Sequence, residues 1–186
     1  MLICITGMPL AGKTLVAGVA RERGVPVINM GDVIREEAKR RGIEATPENF
    51  RRLMTELRRE KGEAAVAELS IEKLKQAFKS GHRIVVVEGL RSMAEWRLFK
   101  ENFKGCVLLA VHASPKTRFK RALIRGRPDD PRSFEEFMAR DLLELEIGIG
   151  WLIALADYMI VNEGPAEETL TVAKKLFKEL MSSVEG

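Results

Sequence analysis

The chain has 186 residues, 46% of them apolar and 31% charged, an ordinary globular mix that argues against disorder. It is long enough for one domain, 1–186, that buries its core without disulfides or a metal as staples. A formal net charge of +4 suits phosphate-bearing small molecules, and the longest near-apolar stretch, Ile147 to Ala156, is too short to cross a bilayer, so no membrane contact is expected.

Leu2–Thr6 is the first expected strand. Neither a charged n-region nor a long h-region accompanies it, and Cys4, like Cys106, sits in an apolar run as a small hydrophobe. A cytoplasmic, reducing setting is therefore expected. The strand runs directly into Gly7-Met8-Pro9-Leu10-Ala11-Gly12-Lys13-Thr14, a G-x-x-x-x-G-K-[ST] pattern that opens a helix over 13–23. Its glycines let backbone N–H groups curl around a phosphate, and the helix N-terminus adds its positive dipole end. Lys13 would reach the β- and γ-phosphates, and the Thr14 hydroxyl would take Mg²⁺.

A second strand, Pro26–Met30, leads into a helix over 31–41 that begins Gly31-Asp32-Val33-Ile34-Arg35. Asp32 and Arg35 are three apart and share a helix face. Helices over 47–61 and 63–79 follow, the first with Phe50, Leu53, Met54 and Leu57 in an i, i+3, i+4, i+7 stripe. The stretch from Ile43 to Gly81 is too long for one crossover helix, so a helical insertion is expected above the carboxyl ends of the strands, where ligands bind in open α/β sheets. Its basic helix carries Arg51, Arg52, Arg58 and Arg59, read as a solvated face because no base-stacking aromatic platform stands beside it.

The third strand, Arg83–Glu88, contains the continuous apolar run Ile84-Val85-Val86-Val87 expected of a strand buried on both faces. It ends in Glu88-Gly89-Leu90-Arg91, where a carboxylate level with the phosphate loop is placed to hold Mg²⁺ through water and Arg91 to face an anion. After a helix over 93–103 and a strand Cys106–His112, Ser114-Pro115 supplies an N-cap and a first-turn proline for a helix over 115–125. There the chain becomes arginine-dense, with Arg118, Arg121, Arg125, Arg127 and Arg132. Arginine forks match phosphate oxygens, and the interspersed Gly126, Pro128 and Pro131 predict a mobile loop rather than a regular helix surface. A helix over 133–145, a strand Tyr158–Asn162 and a helix over 165–183 complete the chain.

Strand–helix alternation means an α/β fold with a parallel sheet, right-handed crossovers and helices on both faces. His82 and His112 lie far from each other and from the cysteines in sequence, with no metal-ligand spacing. Four asparagines and one glutamine among so many charged residues fit a heat-adapted source.

These motifs together resemble the adenylate-kinase-like nucleotide kinases, and within them a small archaeal set of kinase-like ATP-binding proteins of unestablished acceptor. The resemblance covers nearly the whole chain. It implies a P-loop NTPase three-layer sandwich with a five-stranded parallel sheet, order 2-3-1-4-5. It also implies an acceptor-binding helical region over 31–81 and a short lid over 118–140. Gly31-Asp32-x-x-Arg35 resembles the acceptor-site G-D-x-x-R. Glu88-Gly89-Leu90-Arg91 is similar to the family's D-G-x-P-R, with Glu for Asp and no proline. Arg121-x-x-x-Arg125 and Gly126-Arg127-x-Asp129-Asp130 resemble the lid of the short-lid members, with a later lid arginine at Arg140. By that resemblance Arg121 lies against the donor base, while Arg125, Arg127 and Arg140 contact phosphates, Arg140 on the acceptor side. The tail Ala156-Asp157-Tyr158-x-Ile160-x-Asn162-x-Gly164 is similar to the donor-base loop of dephospho-coenzyme A kinases, which places Asn162 and Gly164 at the nucleotide.

The function implied is transfer of the ATP γ-phosphate, with Mg²⁺, to a small phosphorylated acceptor, in the first instance a nucleoside monophosphate. Lys13, Arg125, Arg127 and Asp32 would be catalytic, and Asp32, Arg35, Arg91 and Arg140 would bind the acceptor. A hydroxyl kinase resembling dephospho-coenzyme A kinase, with Asp32 as base, is the second reading. A regulatory nucleotide-binding ATPase is the third. The chain has no N-K-x-D guanine motif, which disfavours a GTPase, and no room for a ring ATPase's helical second domain. Nucleic acid is not an expected partner, and nothing in the sequence bears on oligomeric state.

Overall fold

The structure, a computed structural model, describes residues 1–127 and 130–185. Pro128 and Asp129 of the expected lid lie outside the described residues. In chain order the elements are β1 (Leu2–Thr6), α1 (Lys13–Glu22), β2 (Val27–Asn29), α2 (Met30–Arg40), α3 (Pro47–Lys61), α4 (Ala65–Lys79) and β3 (Val85–Leu90). Then come α5 (Met93–Asn102), β4 (Cys106–His112), α6 (Pro115–Arg125), α7 (Phe134–Ile147), α8 (Ile149–Ala154), β5 (Tyr158–Val161) and α9 (Ala166–Glu185). The five strands form one parallel sheet in the order β2-β3-β1-β4-β5, as expected.

The central strands read as unbroken apolar runs because both faces of the sheet are covered. Successive side chains alternate between two cores. Leu2 and Cys4 join Val85, Val87 and Leu108 on one face, packed under α2, α3, α4, α5 and α8 through Ile34, Leu57, Leu74, Phe99 and Leu152. Ile3 and Ile5 join Val86, Leu109 and Val111 on the other, under α1 and α9 through Val16, Val19, Ala173 and Phe177. The result is helix, sheet, helix. No described helix is long and apolar enough to cross a membrane.

Several boundaries differ from expectation. β2 stops at Asn29 because its side chain accepts hydrogen bonds from the Gly31 and Asp32 amides and starts α2 there. β3 runs on through Gly89 and Leu90, past a register shift opposite Thr6, whose hydroxyl donates to the Leu90 carbonyl at 2.9 Å. Helix α8 was not expected; the apolar stretch that carries it supplies Ile149 and Leu152 to the interior. The Ile43–Gly81 excursion does not lie wholly above the strand ends: α4 touches β2 and β3 and buries Leu74 in the core beneath the sheet. The arginine-dense segment is regular helix through Arg125, where Gly126 in the left-handed region (φ 57°) ends α6.

Candidate functional site

The residues after β1 form the phosphate loop. Gly7 (φ 145°) and Gly12 (φ 102°) both hold backbone conformations that side chains resist, and both are closely approached. A Cβ on Gly7 would lie 2.2 Å from the Val111 carbonyl oxygen, and one on Gly12 would lie 2.1 Å from Nδ2 of Asn162. Leu10 is the one described non-glycine residue with positive φ, at 66°. The loop is thus tightly curled at its two glycines, and Lys13 folds back onto it. Its Nζ donates to the carbonyls of Gly7 (2.7 Å) and Met8 (3.1 Å). Burial among these groups, and next the Arg91 guanidinium, lower the Lys13 ammonium pKa to about 8, against the pull of Glu144 and Glu88.

β3 brings its carboxylate to the same place. Glu88 is buried; its Oε1 accepts from the Thr14 hydroxyl at 2.7 Å and its Oε2 from Asn29 Nδ2 at 3.1 Å. This hydroxyl–carboxylate pair is a hard-oxygen donor set that fits Mg²⁺. The described residues hold no group of three acidic, His or Cys side chains fit for a metal by itself. Such an ion would therefore be shared with the phosphates of a ligand, as Mg²⁺ commonly is.

Around this loop opens a cavity of about 450 Å³, walled by the phosphate loop, by Gly89, Leu90 and Arg91 at the end of β3, and by Arg121, Ile124, Arg125, Arg140, Glu144 and Ile149 from α6 to α8. Each basic side chain has a holder. The Arg91 amide donates to Oε2 of buried Glu95 (2.7 Å), part of the capping box that opens α5, and its guanidinium donates to Oε1 of Glu144 at 2.6 Å. Arg121 donates to the carbonyl and side-chain oxygens of Asn162 at 2.9 and 3.0 Å. Arg125 is paired with Asp130, whose carboxyl that pairing holds below its ordinary range.

Other expected residues lie elsewhere. Asp32, on the first turn of α2, and Arg35, on the second, pair with each other on an exposed face and do not line the cavity. Arg127 is exposed, its amide donating to Asp130. Asn162 is buried, with Nδ2 donating to the Ala11 carbonyl (2.8 Å) and Oδ1 accepting from Thr169, so it braces the loop from β5. Gly164 is exposed beside Glu168. Arg118, the first residue of the expected lid, is buried in a bidentate pair with Asp141 of α7 (2.7 and 2.6 Å).

Glu144 was missed by sequence reasoning. Its only signal was its place four residues after Arg140, on one helical face, and charged pairs at that spacing ordinarily face solvent.

Compared with known proteins, the chain matches the family model described as an AAA domain over residues 6–137. It is 50% identical over 180 residues to a UPF0200 protein of Hyperthermus butylicus, covering 97% of this chain and 95% of that one. Among solved structures it resembles shikimate kinase from Bacteroides thetaiotaomicron (TM-score 0.59, 20% identity, 96% of this chain and 98% of that one). It likewise resembles a gluconokinase from Sinorhizobium meliloti (TM-score 0.58, 17% identity, 98% and 94%). At such identities the two likenesses carry the fold alone, a kinase-like P-loop fold.

Proposed function

The chain belongs to the UPF0200 protein family and contains its AAA-type P-loop domain, and on that premise we propose that it is an ATP-dependent phosphotransferase acting on a small phosphorylated acceptor. The observation that carries this reading is the cavity in which Lys13, Arg91, Arg121, Arg125 and Arg140 meet, beside the Thr14–Glu88 pair. The site is built for a nucleoside triphosphate and Mg²⁺: the curled loop takes the phosphates, and Thr14 and Glu88 take the ion. When bound, Mg²⁺ would neutralise phosphate charge. Arg91 and Arg140, in the same cavity, offer guanidinium forks to an anionic acceptor. Catalysis is then by positioning and charge neutralisation, with Lys13 leaving the Gly7 and Met8 carbonyls for the β- and γ-phosphates.

The acceptor has two chemical forms. A nucleoside monophosphate is the form that the G-D-x-x-R resemblance favours. A phosphate ester with a free hydroxyl is favoured by the carboxylate of Glu144 in the cavity wall. Shikimate kinase and gluconokinase, of the same fold, bear names of hydroxyl-bearing substrates, which supports the second form by analogy only.

The test is coupled ADP release from MgATP with nucleoside monophosphates and with hydroxyl-bearing phosphate esters, against a control without acceptor. Lys13→Ala should lower nucleotide affinity or turnover at least tenfold, about 1.4 kcal/mol. Unchanged binding and turnover in that variant would remove the reading, and release that needs no acceptor would replace it with an ATPase.

A further inference from the structure

Glu144 carries a buried polar atom that nothing among the described residues satisfies. Its Oε1 is taken by Arg91, but Oε2 is buried and, among the described residues, has no hydrogen-bond partner. A buried charged oxygen left unmet is costly, and such an atom in a native site points to a catalytic role or to a donor supplied by water, an ion or a ligand. The residue lines the nucleotide cavity and lies close enough to Lys13 to stabilise its ammonium. The carboxylate thus stands in the wall of the cavity on the side of Lys13, the residue proposed to meet the γ-phosphate.

The chemistry of the acceptor follows. A phosphate nucleophile is already anionic and would be repelled by a carboxylate at the transfer point. A hydroxyl nucleophile has a proton to lose, and a carboxylate there is what it needs. Asp32, the other carboxylate in question, lies outside the cavity, exposed and paired with Arg35 through Oδ1. Resting on the phosphotransferase reading, we infer that Glu144 is the general base for a hydroxyl acceptor that carries its own anionic group.

In the empty site Arg91 and Glu144 hold each other. The acceptor's anion takes the Arg91 guanidinium, which frees Glu144 for the hydroxyl proton. The hydroxyl oxygen bonds to the γ-phosphorus while the bond from that phosphorus to the β–γ bridging oxygen breaks. ADP leaves with the electron pair, and the proton stays on Glu144 until water removes it. One ATP and one alcohol become ADP, one phosphate ester and one proton.

The probes are glycerol 3-phosphate, ribose 5-phosphate and dephospho-coenzyme A, with nucleoside monophosphates and water alone alongside. ADP release is read together with ³¹P NMR, which separates a new phosphate ester from a new anhydride. An ester formed by the wild-type protein is the expected result. In Glu144→Gln, kcat for that probe should fall 10²–10⁴-fold with KM and ATP affinity within about threefold. Glu144→Asp, which keeps the carboxylate, should recover part of the rate. An anhydride as the only product, or a Gln variant with kcat within about threefold of wild type, overturns the inference. If no probe accelerates release, the phosphotransferase reading fails instead. The reaction with water then still reports on Glu144: a tenfold or greater fall in the Gln variant sustains it as base, and an unchanged rate removes it.

Discussion

At the scale of single residues, the site is organised by groups that occupy one another while no ligand is present. Lys13 rests on two loop carbonyls, Thr14 on Glu88, and Arg91 on Glu144. Each interaction is one that a phosphate, an ion or an acceptor would replace. The lowered Lys13 pKa makes this measurable. In the empty protein burial lowers the Lys13 pKa to about 8, whereas a bound triphosphate would favour the charged ammonium and raise that value. Above pH 8, then, the empty state binds fewer protons than the nucleotide-bound state, and binding should take protons up. Near pH 7 Lys13 is about nine-tenths charged in the empty state as well, so uptake should fall to roughly a tenth of a proton and vanish by about pH 6. Calorimetry at about pH 9 in two buffers of different ionisation enthalpy should show the uptake, and Lys13→Arg, always charged, should abolish it. Equal uptake in the two proteins would show that another group titrates. The letters G-x-x-x-x-G-K-[ST] disclosed Lys13 and Thr14 because that chemistry is local; Glu144 was hidden because its partner lies 53 residues away.

At the scale of elements, α6 and α7 form a wall of the cavity beside the phosphate loop, whose Pro9 and Leu10 carbonyls accept from Arg118 and Arg121, and a buried ion pair joins the two helices. Arg118 is bidentate to Asp141, donates to the Ala113 carbonyl at 3.0 Å, and lies over the Phe137 ring at 5.0 Å. Removing one member leaves the other charge buried and alone, which costs about 3–5 kcal/mol. For a chain of this length, Asp141→Ala should lower Tm by roughly 6–20 °C. Thermal unfolding checks it, and a drop of only a degree or two would mean that the pair is not a brace. The arginine-dense segment is thus divided by burial. Arg118 holds the wall, while Arg121 and Arg125, on the following turns of the same helix, line the cavity. Spacing alone could not make that division, since every residue of the segment reads as a charged surface until its neighbours are known.

At the scale of the whole molecule, the two ends of the chain meet at the phosphate loop. Asn162, past the end of β5, donates to the Ala11 carbonyl and accepts from Thr169 of α9 and from Arg121. Parallel order β1-β4-β5 makes this possible, because it sets the carboxyl ends of the first and last strands two strands apart. Asn162→Ala leaves the Ala11 carbonyl and the Thr169 hydroxyl without that partner. Stability should fall by about 1–3 kcal/mol, read from the denaturant midpoint. ATP should also bind more weakly in Asn162→Ala, while Thr169→Val, which touches the brace but not the loop, should lose stability with nucleotide affinity kept. Equal loss of ATP affinity in both variants would mean that the brace acts only through global stability.

By itself the sequence determined the strands, the phosphate loop and the parallel α/β class, because each rests on short-range physics. A strand buried on both faces must be apolar throughout, a phosphate cradle needs glycines at fixed spacing, and alternating strands and helices leave a parallel sheet as the compact solution. The tertiary structure alone decided which charged side chains share the cavity. Asp32 and Arg35 pair with each other on an exposed helix face, Arg118 is consumed by Asp141, and Glu144 is brought against Arg91 from a helix far along the chain. The physical reason is that an ionic group's role follows from its burial and its partner. For these residues both are set by packing between elements distant in sequence, where no local pattern is written.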